Sequence, residues 1–198
     1  ELGLDRPALV RYGEYLAKTA KGDLGQSYRP TKGTVKQIVA QNLPVTIRLA
    51  AVAMLLAALI GISLGTFAAV YENRFADRTI LIFSTLGVTV PNFVLAPLLV
   101  YVFSMQLGYV PQTYDPRLPE PEYLYFILPA IALSLRPMTT LTRLTRASMV
   151  ETMKQEFIRL AVAKGVSPNR LIFRHALRNA ILPVVTQIGS SFGFLLTG

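Results

Sequence analysis

The sequence predicts an all-α, multi-pass membrane protein: a polytopic bundle of transmembrane helices. Three observations carry that prediction. The 198 residues are 52% hydrophobic and only 16% charged, more apolar and less charged than an ordinary soluble domain. The apolar residues are blocked, so that residues 49–70, 79–107 and 180–198 hold no charge at all. Charged or proline-rich stretches separate the blocks and read as loops.

Residues 1–43 are polar and mixed, and too short to build a sizeable core alone. Asp5-Arg6-Pro7 resembles a helix start, with Asp5 as N-cap. Leu9, Val10, Gly13, Leu16 and Ala17 follow at helical spacing, and KGDLG from Lys21 breaks that helix. A second short helix is expected over 35–41.

Residues 49–70 make a helix of about 33 Å, enough for a hydrocarbon core. Gly61 and Gly65 form a GxxxG face, which admits a close helix neighbour or arises by chance in an apolar helix. After the charged turn YENRFADR (71–78), residues 79–107 are too long for one straight span, at about 44 Å. Pro91 and Pro97 interrupt them. They form either one bent span or a span with an unwound stretch at Thr89-Val90-Pro91-Asn92. Unwound backbone survives in a membrane only against protein or a water-filled cavity. Pro91 and Asn92 are therefore candidates for a translocation path, against the plainer reading of a packing kink.

Residues 108–125 hold four prolines with Asp115, Arg117, Glu120 and Glu122, and read as an exposed loop. The next pass must run through Arg136-Pro137. A charge at that depth faces a partner or water, or snorkels to an interface. Residues 180–198 begin another span, carrying a second GxxxG at Gly189 and Gly193. Expected spans are about 45–70, 79–107, 124–146 and 181–198, with a loop over 147–180. The first residue is Glu1 and the last falls inside an apolar run, so a longer chain is expected.

Net charge is +9. Turn 71–78 and segment 136–178 lie on one side of alternating spans and together carry eleven Lys and Arg. Loop 108–125 carries one, and segment 1–48 eight. The excess beside the short loops puts the basic hairpin in the cytoplasm.

That hairpin, RLAVAKGVSPNRLIFRHALRNAILP (159–183), contains no carboxylate. Met149, Val150, Met153, Phe157, Leu160 and Ala161 recur at helical spacing, predicting an amphipathic helix ending at Gly165. Ser167 and Pro168 restart a helix as N-cap and first residue. Its apolar stripe is Ile172, Phe173, Ala176, Leu177, Ala180 and Ile181, and Pro183 marks a bend before the last span. Arg170, Arg174 and Arg178 form one basic ridge. A DNA-reading helix-turn-helix is set aside, because both flanks run into membrane spans. An anionic lipid surface or a groove on a cytoplasmic partner remains.

The stretch LTRLTRASMVETMKQEFIRLAVAKGVSPNRLIFRHALRNAILPVVTQIG (141–189) resembles the cytoplasmic coupling loop of ABC-importer permeases. More narrowly, it is similar to the B-type permease of the dipeptide/oligopeptide/nickel branch. The resemblance rests on TRASM (145–149), AKG (163–165) and RHALRNAILPVVT (174–186). ELGLDRP (1–7), GDLGQSY (22–28) and LPVTIRLA (43–50) extend it over essentially the whole chain. The general permease motif begins Glu-Ala-Ala and reaches a Gly four residues after the second Ala. Aligned on Gly165, those positions are Arg159, Leu160 and Ala161, so Ala161 and Gly165 match and Arg159 replaces the glutamate.

The resemblance implies a type I ABC-importer permease fold in a prokaryotic plasma (inner) membrane. Segment 1–43 would be extracytoplasmic. Glu156, Arg159, Ala161, Ala163, Lys164, Gly165, Ser167, Arg170 and Arg174 would couple to an ATPase. Pro91, Asn92 and Arg136 are the path candidates offered by the residues themselves, and Arg136 is a departure from what the family pattern has at that place. The implied partners are a second permease subunit, two ATPase subunits, an extracytoplasmic solute-binding protein and membrane lipid, with no nucleic acid. ATP and Mg would be bound by the ATPase subunits, and this chain would bind no cofactor.

The chain has no G-x-x-x-x-G-K-[ST] phosphate loop. His175 stands alone, without the cluster a metal site needs, and is expected on the hairpin surface. No paired Asp, Ser/Lys or HExxH lies within a span, which removes an intramembrane protease. The remaining alternative to a permease is a non-transporting scaffold or receptor with a lipid- or partner-binding loop.

Overall fold

A computed structural model describes residues 7–27, 33–112 and 121–197. Asp5, Arg6, Tyr28, Asp115, Arg117 and Glu120 lie outside the described residues, so the proposed Asp5 cap and most of the proline-rich loop do too. The chain divides into two compact units, residues 1–48 and 49–198.

In the first unit, helix α1 (Ala8–Ala20) begins behind Pro7, whose carbonyl accepts the Val10 N–H at 3.0 Å. It stops at Gly22, whose φ of +80° is open to glycine. Thr34 and Gln37 then build a reciprocal capping box. The Thr34 N–H donates to Gln37 Oε1 at 3.0 Å, and the Gln37 N–H to Thr34 Oγ1 at 3.3 Å. That box opens α2 (Val35–Val70). The short helix expected over 35–41 is thus only the start of a 36-residue helix. Pro44 removes one backbone donor, but each further residue of the apolar run adds a hydrogen bond and the helix propagates.

In the second unit, a turn at 71–74 leads to α3 (Phe75–Thr89), α4 (Asn92–Leu99) and a π-helical stretch (Val100–Gln106). Then come α5 (Glu122–Met153), α6 (Glu156–Ala163) and α7 (Pro168–Arg170), which runs through π turns (Leu171–Ala176) into α8 (Leu177–Thr197). Of the two readings of 79–107, the structure takes the broken one. Proline disfavours helix in the residue before it, so Val90 is extended at φ −81°, ψ 118°. The axis turns by 97° between α3 and α4. Among the described residues three helices are long and apolar enough to cross a membrane, or four if the bent pair counts as one span.

The core runs along α2, α5 and α8. Met54, Ala57, Leu141 and Val184 are buried together, flanked by Ile62, Met138 and Ile188. The Gly61–Gly65 face decides how closely α2 and α5 approach. A Cβ on Gly61 would stand 2.8 Å from the Met138 carbonyl, and one on Gly65 2.5 Å from the Thr142 carbonyl. The second GxxxG behaves differently. Cβ atoms on Gly189 or Gly193 would meet nothing within 4 Å.

Two expected punctuation marks are corrected. The amphipathic helix expected from Met149 to Gly165 is two helices. Lys154 and Gln155 break it, with Gln155 extended at φ −74°, ψ 153° as the N-cap of α6. Pro183 lies inside α8 rather than ending a separate hairpin helix.

Candidate functional site

The hairpin of α6 and α7 is built on a precise local turn. Helix α6 closes with a Schellman motif. The Val166 N–H donates to the Ala161 carbonyl at 3.2 Å, and the Gly165 N–H to the Val162 carbonyl at 2.9 Å. Gly165 takes the left-handed conformation the motif requires, with φ +74°. Val166 packs inward near Ala161, completing the apolar contact of the motif. Ser167 occupies the N-cap position before Pro168, but its side chain makes no capping bond. Its carbonyl accepts the Leu171 N–H at 2.9 Å instead.

One face of the hairpin is anchored. Ile158 and Ala161 of α6 and Leu171 and Ala176 of the π turns share a cluster with Ala69, Met149 and Ala180. The other face is open. Leu160 is 57% and Val162 56% exposed, whereas the exposed Phe173 borders an open cavity with Phe67 and Val70 of α2. Glu156, Arg159, Lys164, Arg170, Arg174 and Arg178 are exposed as well. The site combines a seated inner face with exposed apolar and charged side chains.

This rearranges the stripes read from the sequence. Phe157 and Leu160, placed with Ala161 on one apolar stripe, point outward, while Ile158 takes the buried place. The break at Lys154 and Gln155 resets the helical phase, which no continuous 3.6-residue count follows. The π turns do the same in the second arm. With i→i+5 bonding they shift the stripe, so Leu171 is buried and Phe173 is exposed. Of the other predicted residues, Ala163, Gly165 and Ser167 are exposed and Ala161 is buried. His175 is half-buried.

Pro91 and Asn92 are exposed at the break between α3 and α4. Arg136 is exposed on α5, and Thr140 and Arg143 follow it on the same exposed face. Thr139, Leu141 and Thr142 face the packed side.

One pair escaped the sequence reading. Asp77, in the first turn of α3, is 1% exposed. The Arg146 guanidinium grips it with a fork, Nε donating to Oδ1 at 2.6 Å and Nη2 to Oδ2 at 2.7 Å. The Asn73 N–H donates to the same Oδ2 at 2.8 Å. Asn73 holds φ +63°, a conformation Asn tolerates better than most residues. Nearby, Lys154 Nζ approaches Glu72 Oε1 at 3.5 Å. The available signal was a carboxylate beside an apolar span and the arginine within TRASM, but 69 residues separate them in sequence.

Comparison with known proteins follows the same lines. The family described as "Binding-protein-dependent transport system inner membrane component" matches residues 61–198. The oligopeptide transport system permease protein OppB of Salmonella typhimurium is 42% identical over 195 residues, 98% of this chain. The dipeptide transport system permease protein DppB of Bacillus subtilis is 37% identical, also over 98% of the chain. The glutathione transport system permease protein GsiC of Escherichia coli is 36% identical over the full 198 residues. The chain spans 63% of the length of the OppB and GsiC relatives and 62% of DppB.

Proposed function

The chain belongs to the family of binding-protein-dependent transport system inner membrane components, and from that premise we propose that it is a permease subunit of an ATP-driven peptide importer. It forms half of a translocation path with a second permease subunit. Two ATPase subunits hold ATP and Mg beneath the membrane, and an extracytoplasmic binding protein delivers the solute. This chain carries no catalytic step.

The observation that supports this best is the two-faced hairpin. Its inner face is locked to the ends of α2, α5 and α8 through Ala69, Met149 and Ala180. Leu160 and Val162 are exposed on α6, and Glu156, Arg159, Lys164, Arg170 and Arg174 of the hairpin are exposed too. A short helix inserted in a partner groove and rigidly seated above converts a small partner movement into tilting of the spans. Ala161 and Ala163 keep the helix slim, Gly165 and Ser167 shape the turn, and the arginines set the charge of the contact. Arg159 in place of the family glutamate makes that contact more basic here.

On this reading the exposed Arg136 face of α5 and the Pro91-Asn92 break line the aqueous path, since charge and unwound backbone in a membrane demand water or protein. The relatives' names point to peptides, from glutathione and dipeptides to oligopeptides.

The test uses the full-length protein assembled with its permease, ATPase and binding-protein partners in proteoliposomes. Uptake of radiolabelled glutathione and of alanine peptides is measured with and without ATP. ATP-dependent uptake is expected, with Gly165→Val abolishing it while the complex still assembles. Absence of ATP-dependent uptake by wild type, or normal uptake by Gly165→Val, would overturn the reading.

A further inference from the structure

The Asp77–Arg146 pair, with the carboxylate covered and the arginine 21% exposed, joins α5 to the start of α3 and to the α2–α3 turn. Met149, one turn beyond Arg146 on α5, is fully buried against Ile158 and Ala161 of α6. Arg146 itself grips Asp77 with two parallel bonds. The same carboxylate accepts the Asn73 N–H, so the turn at 71–74 is fixed by it as well. One turn earlier on α5, the Gly65 face touches the backbone of Thr142 and Arg146. A continuous line therefore runs from α6 through Met149 and Arg146 to α2 and α3.

Small residues let two helices come close and fix their crossing by packing alone. A planar guanidinium bound at two points to a planar carboxylate sets both rotation and height. Lys154 and Glu72 repeat the connection farther out, at 3.5 Å.

We propose that Asp77 and Arg146 are positioning residues of the transport cycle: they clamp α5 to the α2–α3 turn, so that displacement of the hairpin moves these segments as one body. The inference rests on the proposed permease function. Under it, the change between inward- and outward-facing states is taken up elsewhere in the fold, and the clamp stays closed throughout.

The experiment again uses the full complex in proteoliposomes, with the alanine peptide or glutathione that wild type takes up. Residues 1–198 hold no cysteine, so in a full-length protein with any other cysteines replaced, Glu72→Cys with Lys154→Cys gives one addressable thiol pair. Bridging that pair with a short bifunctional thiol reagent is expected to leave uptake within about twofold of the unbridged protein, since a locked clamp costs a rigid body nothing. Loss of uptake on bridging overturns the proposal.

Arg146→Lys supplies the second arm. It keeps the charge and loses the fork. Solute moved per ATP hydrolysed is expected to fall about tenfold, within the usual range of coupling between sites, while hydrolysis continues. A purely architectural role would lower assembly and leave that ratio unchanged in the complexes that form, and an unchanged ratio refutes the clamp. Gly165→Val in the same preparation separates the two readings. If it transports normally, the hairpin function fails. If it uncouples while Arg146→Lys does not, only the clamp fails.

Discussion

A single methyl group on Gly65 would lie 2.5 Å from the Thr142 carbonyl oxygen and 2.7 Å from the Thr145 Cβ. Neither can yield without α2 and α5 moving apart. Gly193 belongs to the same kind of motif, yet a Cβ there meets nothing within 4 Å. Gly65→Ala is therefore expected to destabilise the detergent-solubilised protein by about 1–3 kcal/mol, the usual cost of overpacking, while Gly193→Ala leaves thermal unfolding nearly unchanged. Equal shifts of Tm for the two variants would contradict this packing. Asp77 shows the electrostatic counterpart. Removing Arg146 altogether strips the Asp77 carboxylate of both guanidinium bonds and leaves it only the Asn73 N–H, a loss of about 1.5–3 kcal/mol. Arg146→Ala should thus lower Tm far more than Arg143→Ala, whose side chain is exposed. Both glycine pairs were visible in the sequence. Which one is packed was not, because that depends on what stands opposite.

At the level of the element, the hairpin turn depends on one left-handed residue. Gly165 has open space around it, so substitutions there act through backbone strain rather than collision. Asn tolerates φ near +74° and a β-branched residue does not. Gly165→Asn is expected to retain most of the uptake that Gly165→Val loses, which uptake assays on the two variants side by side would decide. Helix starts and stops marked by glycine and proline were legible: Gly165, Pro168 and the Pro91 break all appear where the residues place them. The break at Lys154 and Gln155 was not legible. Nothing in KQ forbids helix, and the break follows from folding α6 back so that Ile158 and Ala161 reach Met149. The π turns at 171–176 were hidden for the same reason, since they serve tertiary packing of Leu171 and Ala176 rather than local preference.

Across the whole molecule, the proposed topology makes two accessibility predictions for single-cysteine variants in the native membrane. Lys164→Cys is expected to react with a membrane-impermeant thiol reagent in inside-out vesicles and not in intact cells or spheroplasts, since the positive-inside count places the hairpin in the cytoplasm. The reverse pattern would invert the topology. Arg136→Cys and Thr140→Cys are expected to react with a small water-soluble thiol reagent, as walls of an aqueous path. Thr139→Cys, on the packed side of α5 with 1% exposure, is expected to stay protected. Labelling of Thr139→Cys with protection of Arg136→Cys would remove that face from the path.

Blocked hydropathy, the lysine and arginine balance and the long ordered motifs were enough to establish a helical membrane protein and its family. Bilayer thickness and helix rise constrain those features residue by residue, so they can be read along one dimension. The close α2–α5 contact, the outward turn of Leu160 and Phe173, and the Asp77–Arg146 clamp could come only from the folded chain. Each depends on which distant segments meet: a carbonyl opposite a glycine, a phase reset between helices, a fork reaching a carboxylate 69 residues away. Local sequence sets the parts. Packing selects which of the many apolar and charged faces are held and which are left free to act.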